Sequence, residues 1–509
     1  MNHSLFESFR EAAKKSPSKI IVEDAFGESL TYRKLEIKSL VLGHAFKHVI
    51  PHDDTIGICL PNTATFGIVF IALQYLGKVT AILNYTTGYR GLISTAQTAG
   101  LKVILTSRKF LEKAHMTETF EKLAREGLTI IYLEDIKKAI TLKDRILGWT
   151  GVSLISHLKS SHDPAIILFT SGSEGEPKGV ILSHDNLLSN AHQISERIPF
   201  SEHDVLFSSL PFFHAFGLLA GLILPLLYGV KSYIYFSPLD YREIPKKIQE
   251  TQATILFSTN TFLKGYATTS TPEMLKSLRA VFAGAEKLQE ETRLLYHSRF
   301  NIPVYQGYGV TEASPVIAVN VEYFHKPGSV GPLLKDIITD IRPEPGVARG
   351  GRLFVKGPNV MVGYYVPSHH LTIQHPPEGW HDTGDIAEID YDGYLFILGR
   401  AKRFAKIGGE MVSLGALESA LEAKWPGYKH AVLAQPHPTK GEELILLTTH
   451  PALSKEDMRA TLSGAGFSNL SQPKSVIFRE SLPLLSTGKI DYKNLEEMIK
   501  NEPSGEACL

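Results

Sequence analysis

The sequence predicts an α/β fold. It should have a large N-terminal domain of parallel α/β subdomains plus a small β-barrel, followed by a small α+β C-terminal domain. Three observations carry this. Apolar, β-rich runs alternate with helical patterns from Asp54 to about Pro315, as they do when helices cover and connect the strands of a parallel sheet. Past Gly328 the runs shorten and fill with Gly and Pro, which predicts a barrel ending near Gly399. The stretch after Arg400 carries helix, hairpin and strand signals of its own, and 509 residues at 43% hydrophobic content can fill more than one core.

Leu5, Phe6, Phe9, Ala12 and Ala13 recur at helical spacing, so the chain opens on an amphipathic helix rather than on a secretory signal. Residues 55–60 read as a strand. Pro61-Asn62-Thr63 then opens a helix that buries Phe66, Val69, Phe70 and Leu73; Gly77 closes it and 79–83 is the next strand, one βαβ unit. A second series runs 232–236, 253–258, 279–283 and 303–306, joined by helical periodicity. Ligands of such sheets bind where strands end and loops turn, and the loops at Gly284 and Gly307 lie at such ends. The most apolar window, 216–230, is shorter than the roughly 20 residues a membrane helix needs and contains Pro225, so it predicts a buried core or pocket wall. Farther on, a helix at 414–424, a hairpin of 430–434 with 443–448 and a strand at 475–479 are expected. A boundary at 400–403 gives domains 1–401 and 402–509.

Composition narrows the partners. Lys+Arg and Asp+Glu both number 53, so no global field holds nucleic acid or an anionic membrane, and any charged partner must be met by a local patch. No nucleic-acid partner and at most peripheral membrane contact are expected. Two cysteines, Cys59 and Cys508, make no oxidative framework and suit a reducing, cytoplasmic compartment. Cys508 is misplaced for prenylation.

Chemistry concentrates in Ile166-Ile-Leu-Phe-Thr-Ser-Gly-Ser-Glu-Gly-Glu-Pro-Lys-Gly-Val180. An apolar strand enters a loop in which Thr170, Ser171, Gly172, Ser173 and Gly175 offer hydroxyls and close backbone N–H groups to phosphate oxygens, while Lys178 adds a point charge. Alone, such a loop is more often a surface turn than a phosphate site, and it is not the G-x-x-x-x-G-K-[ST] loop. Four further elements follow in order: Leu210-Pro-Phe-Phe-His214-Ala-Phe-Gly217; Tyr305-Gln-Gly-Tyr308-Gly-Val-Thr311-Glu312; Trp380-His-Asp-Thr-Gly-Asp385 with Asp392-Gly-Tyr and Gly399-Arg400; and Pro483-Leu-Leu-Ser-Thr-Gly488-Lys489.

Together the five motifs resemble the acyl-adenylate-forming enzymes, a superfamily of acyl-CoA synthetases, luciferases and peptide-synthetase adenylation domains. The resemblance spans nearly the whole chain. Within it, Asn84-Tyr-Thr, Ser171-Gly-Ser-Glu-Gly175, Ala283-Gly-Ala-Glu-Lys-Leu-Gln-Glu290 and Lys326-Pro-Gly-Ser-Val-Gly331 resemble the synthetase half of the bifunctional 2-acylglycerophosphoethanolamine acyltransferase and acyl-[acyl-carrier-protein] synthetase. Most of the superfamily has Thr-Thr-Gly where this chain has Ser173-Glu174-Gly175, so Glu174 either points away from phosphate or helps hold a metal. His48-Val-Ile-Pro-His-Asp53 matches the H-x4-D pattern of glycerolipid acyltransferases, but among 20 histidines about one accidental match is expected and the other blocks of that family are missing. The chain is therefore expected only to activate acyl groups.

The resemblance implies a reaction and its residues. A carboxylate attacks the α-phosphate of ATP, and cations and N–H donors must absorb the charge that builds between two anions. Lys489 is expected to bridge substrate carboxylate and α-phosphate, Glu312 to hold Mg²⁺ and Thr311 to bond phosphate. Asp385 is expected to accept the ribose hydroxyls with Arg400 assisting, and Gly284, Ala285 and Glu286 with Gly307, Tyr308 and Gly309 to wall the adenine. His214 is placed between phosphate loop and acyl tunnel, the tunnel being lined from 212–227 and around 313–317. Lys402 is the expected hinge about which the C-terminal domain swings, after which Gly408, Gly409 and Glu410 face the incoming thiol. Lys402, Arg403 and Lys406 make that edge basic, suiting acyl carrier protein as well as CoA. The expected function is thus ATP-dependent acyl-[acyl-carrier-protein] synthesis from a fatty acid. A fatty acyl-CoA synthetase and a non-catalytic acyl- or nucleotide-binding protein of the same fold are the alternatives.

Overall fold

The computed structural model describes residues 3–50, 54–151, 160–171, 177–345, 347, 349–366, 371–407, 410–437, 441–469, 472–485 and 489–501. Internal packing sorts the chain into two units, Met1–Ile338 with Lys356–His381, and Thr339–Val355 with Asp382–Leu509. The fold is the mixed α/β architecture the sequence predicts, with largely parallel sheets in the first unit and a smaller α+β part at the C-terminal end.

In the first unit the predicted βαβ unit forms with shorter strands. Thr55–Ile58 and Val79–Ile82 pair in parallel, and the intervening helix Ala64–Tyr75 starts at Thr63, whose hydroxyl accepts the Phe66 N–H at 3.3 Å. These strands lie in a seven-stranded sheet ordered Gly363–Tyr365, Pro177–Ser183, Pro164–Ser171, Val79–Ile82, Thr55–Ile58, Val103–Thr106, Thr129–Tyr132. It is parallel from Pro164–Ser171 to Thr129–Tyr132 and antiparallel at the other edge, where Pro164–Ser171 and Pro177–Ser183 make a hairpin and Gly363–Tyr365 adds to it.

The second predicted series builds an eight-stranded sheet ordered Val316–Val319, Val304–Gly309, Ala280–Ala283, Ile255–Ser258, Val205–Ser208, Lys231–Ile234, Ile20–Asp24, Ser29–Thr31. Its interior strands are parallel and both edge strands antiparallel. Ile20–Asp24 joins from near the N-terminus, a pairing across about 200 residues of sequence that no local signal announces. The apolar window becomes a buried helix interrupted by a π-turn: Ala215–Leu218, Leu219–Ile223 and Leu224–Tyr228. The first helix, Leu5–Lys15, buries Leu5, Phe6, Phe9 and Ala13 behind a capping box of Ser4 and Glu7.

In the second unit, Ile338–Arg342, Gly351–Lys356, His381–Ile389 and Leu395–Arg400 form a four-stranded sheet in the stretch where short barrel strands were expected. A second sheet joins Glu410–Ser413, Phe404–Ile407, Gly441–Thr448, His430–His437 and Ser475–Phe478. Helix Leu414–Lys424 packs Leu417 and Leu421 into a core with Val432, Leu446, Met458 and Leu462. Among the described residues no helix is long and apolar enough to cross a membrane.

Candidate active site

The strands that flank the predicted phosphate loop, Pro164–Ser171 and Pro177–Ser183, pair as an antiparallel hairpin. Thr170 pairs with Lys178 and Ser171 with Pro177, so the strands carry both sides of the loop to one point, the end of the seven-stranded sheet. Gly172, Ser173, Glu174 and Gly175 and the side chain of Ser171 lie outside the described residues. Glu312 occupies the turn Thr311–Ala313 between the strands Val304–Gly309 and Val316–Val319, and the hairpin strand Pro177–Ser183 packs against that turn. The turn is tight: a Cβ on Gly309 would stand 1.9 Å from the Pro315 carbonyl oxygen. From the other side the Met361 N–H donates to the Glu312 carbonyl at 2.8 Å, and buried Asn359 Nδ2 donates to the Ala313 carbonyl at 2.7 Å.

One side chain ties the two halves together, and sequence reasoning missed it. Tyr364, on the strand that pairs with Pro177–Ser183, donates its hydroxyl to Glu312 Oε1 at 2.7 Å while Lys178 Nζ lies 5.1 Å from the centre of its ring. A cation and a carboxylate are thereby fixed on one tyrosine beside the hairpin that carries the predicted phosphate loop. Among the described residues no donor engages Glu312 Oε2. A single fixed carboxylate with one open oxygen fits Mg²⁺, which takes most of its other ligands from phosphate and water.

The predicted adenine walls also come together. Ala280–Ala283 and Val304–Gly309 are adjacent parallel strands with Ala283 opposite Gln306, so Gly284 to Glu286 leave the sheet beside Gly307 to Gly309, which stay in their strand, past the predicted end at 306, and pair with Val316–Val319. Ala285 has a left-handed φ of 67°. Glu286 accepts from the Thr261 N–H at 2.6 Å and from Thr261 Oγ1 at 2.9 Å, holding the first turn of helix Asn260–Thr269. Gly284 lies under the Phe216 ring, which a Cβ there would meet at 3.0 Å. His214 stands at the start of Ala215–Leu218, half-buried, its ring 4.7 Å from that of Phe213. Asn62, from the predicted βαβ turn, clamps the preceding loop: Nδ2 donates to the Leu210 carbonyl at 2.7 Å and Oδ1 accepts the Phe212 N–H at 3.0 Å.

The remaining predicted residues belong to the second unit. Asp385 and Arg400 are cross-strand partners, with Arg400 Nε 2.9 Å from Oδ1 of the buried Asp385. Lys402 is exposed on the turn Ala401–Arg403 between two strands. Gly408 and Gly409 and the Glu410 side chain lie outside the described residues. Lys489 is half-buried, and its carbonyl accepts the Leu485 N–H at 2.7 Å. Arg403, expected on an outward basic edge, is turned inward instead: Nη2 bonds Glu418 Oε1 at 2.5 Å, Nη1 bonds the Val432 carbonyl at 3.0 Å, and the guanidinium stacks 3.7 Å over the Tyr492 ring. Outside the site, burial pushes the Cys59 thiol pKa up, leaving it inert. His48 pairs with Asp144 at 3.5 Å, and Asp53 lies outside the described residues.

Residues 9–365 match the profile of the AMP-binding enzyme family. The chain belongs to that family. As an AMP-binding enzyme it is an acid–thiol ligase of the AMP-forming type, and it uses ATP. It is 26% identical over 537 residues to the medium-chain fatty-acid–CoA ligase of Escherichia coli, covering 99% of this chain and 92% of that one. With the 4-coumarate–CoA ligase 1 of Arabidopsis thaliana it shares 25% over 527 residues, 98% and 92% of the two chains. The crystal structure of ATP-bound MatB from Rhodopseudomonas palustris superposes with a TM-score of 0.84 at 26% identity, covering 98% of this chain and 99% of that one.

Proposed function

We propose that this AMP-binding enzyme activates a fatty acid as acyl-AMP and transfers the acyl group to the phosphopantetheine thiol of acyl carrier protein. The joining of Lys178 and Glu312 by Tyr364 beside the hairpin that carries the predicted phosphate loop is the observation that carries the first step. There a carboxylate oxygen attacks the α-phosphorus, the α–β phosphoanhydride bond breaks and pyrophosphate leaves. Thr170, Thr311 and Lys178 bind phosphate oxygens, Glu312 would hold Mg²⁺, which would neutralise phosphate charge, and Lys489 lies between the two anions in the transition state. Asp385 with Arg400 holds the ribose, and Gly284 to Glu286 with Gly307 to Gly309 wall the base. In the second step the thiol sulfur attacks the acyl carbonyl, the carbon–oxygen bond to AMP breaks and the thiol proton leaves to solvent. Turning about Lys402 withdraws Lys489 and brings Gly408, Gly409 and Glu410 to the thiol. Acyl carrier protein as acceptor rests on the sequence variants at Asn84, Ser173-Glu174, Gly284-Ala-Glu286 and Lys326.

CoA as acceptor is the second reading, favoured by the names of the relatives. Both readings share the adenylation chemistry, which is tested by half-reactions. Lys489→Ala is expected to lower fatty-acid-dependent pyrophosphate exchange at least about a hundredfold while leaving thiol acylation from supplied acyl-AMP close to wild type. Full exchange in the variant would remove Lys489 from the first step.

A further inference from the structure

The nine-residue helix Leu142–Thr150 turns an apolar side to solvent. Leu142, Ile146 and Trp149 are 74%, 53% and 67% exposed, and at 100° per residue the three fall within an arc of about 60°. The opposite side is fixed. Gly148 lies so close to Val41 of helix Tyr32–Val49 that a Cβ would stand 2.4 Å from Val41 Cγ2 and 2.7 Å from its backbone nitrogen. Buried Asp144 closes a capping box with Thr141, accepting from its N–H at 2.9 Å and its hydroxyl at 2.7 Å, and pairs with His48. Rolling the helix to hide the stripe would break both anchors.

The surroundings of the stripe are basic although the chain as a whole carries no net charge. Lys143 and Arg145 flank it on its two sides, and Lys137 and Lys138 end the preceding helix Leu133–Ala139. All four are exposed, and among the described residues none forms an ion pair. The nearby acids are engaged elsewhere: Asp135 with Arg108 at 2.6 Å, Glu134 with Ser107 Oγ at 2.7 Å and the Arg108 N–H at 3.1 Å, and Asp144 inside the helix contact. A Leu–Ile–Trp stripe between cations on a clamped helix matches the boundary of an anionic bilayer, where acyl chains take the apolar residues and phosphates the cations.

We propose that this face docks the protein on an anionic lipid surface, with Leu142, Ile146 and Trp149 entering the headgroup region and Lys137, Lys138, Lys143 and Arg145 meeting lipid phosphates. The docking is independent of the acyl acceptor and uses none of the residues assigned to the chemistry. It places an acid-activating enzyme where long-chain acids partition.

The test mixes the full chain, without nucleotide, with phosphatidylcholine vesicles that contain or lack phosphatidylglycerol. Flotation and tryptophan emission are read at low and high salt. Binding is expected to be at least about tenfold stronger on anionic vesicles and to weaken with salt. A blue shift of emission that is lost in Trp149→Phe would mark the stripe as the inserted part. Ile146→Ser/Trp149→Ser and, separately, Lys143→Glu/Arg145→Glu should each lower binding about tenfold or more while pyrophosphate exchange with a short soluble acid stays at the wild-type rate. No flotation of the wild type, or flotation undiminished in both variants, overturns the proposal. So does a concentration-dependent dimer abolished by Ile146→Ser/Trp149→Ser without lipid binding, which would give the face to a second copy. Trp149 emission that acrylamide fails to quench in the lipid-free protein overturns it as well, since the chain itself would then cover the stripe.

Discussion

Tyr364→Phe is the sharpest change at the scale of single residues. It keeps the ring beside Lys178 and removes only the hydroxyl that fixes Glu312 Oε1. A hydrogen bond to a charged group contributes about 1.5–3 kcal/mol, so pyrophosphate exchange at limiting Mg²⁺ is expected to fall roughly 10- to 100-fold and to recover in part as Mg²⁺ is raised. An unchanged Mg²⁺ dependence would mean that the bond does not position the carboxylate. Asp385→Ala, which strips the buried partner from Arg400, should raise the KM for ATP about tenfold or more with less effect on the KM for the acid. Lys178, Glu312, Asp385 and Arg400 stand out in the sequence as candidates because each lies inside one of the ordered motifs. Tyr364 does not, because its meaning depends on two partners, 186 residues away at Lys178 and 52 at Glu312, that meet only through strand pairing.

Elements of the C-terminal part were legible where periodicity is strong. The helix expected at 414–424 is Leu414–Lys424, and the hairpin forms with longer arms, His430–His437 and Gly441–Thr448. What joins these elements was not legible. Glu418 accepts from Arg403 at 2.5 Å, from the Val432 N–H at 2.7 Å and from the Tyr492 hydroxyl at 2.9 Å, and so ties the turn after Arg400, the helix, the hairpin and the helix Tyr492–Asn501 into one piece. Burial pushes its pKa above the ordinary glutamate value, while Arg403 and the two other donors act against that. Arg403→Met leaves a buried carboxylate without its cation and should destabilise this unit by about 3–5 kcal/mol in urea unfolding. Tyr492→Phe should lower stability by only about 1–3 kcal/mol, because two donors remain. Equal losses would argue that the tyrosine hydroxyl holds the junction as strongly as the charge does.

The whole molecule divides into two packed units, one carrying Lys178, Glu312 and Tyr364 and the other Asp385, Arg400 and Lys489. Stability of the second should depend on pH through His430. This side chain is buried, its Nδ1 lies 3.0 Å from Thr448 Oγ1, and burial together with the charge of His450 lowers its pKa from 6.5 to about 4. The unfolded chain therefore takes up a proton as pH falls below about 6.5 while the folded unit does not until about 4. Stability is full above that window and is lost within it, by on the order of 3 kcal/mol. His430→Gln should flatten this part of the pH–stability curve, and an unaltered slope would assign the acid sensitivity to other groups. At this scale the α/β class and the order of sites were legible from alternating runs and motif order, whereas the parallel pairing of Ile20–Asp24 with Lys231–Ile234 and the packing of Thr339–Val355 with the C-terminal unit are long-range choices without a local signature. The reaction itself belongs to the whole chain. Its most direct test is product mass spectrometry after incubation with ATP, Mg²⁺ and a set of fatty acids, with holo-acyl carrier protein and CoA in the same tube. AMP, pyrophosphate and acylated carrier protein beside unmodified CoA is the predicted result; acyl-CoA beside unmodified carrier protein would contradict it.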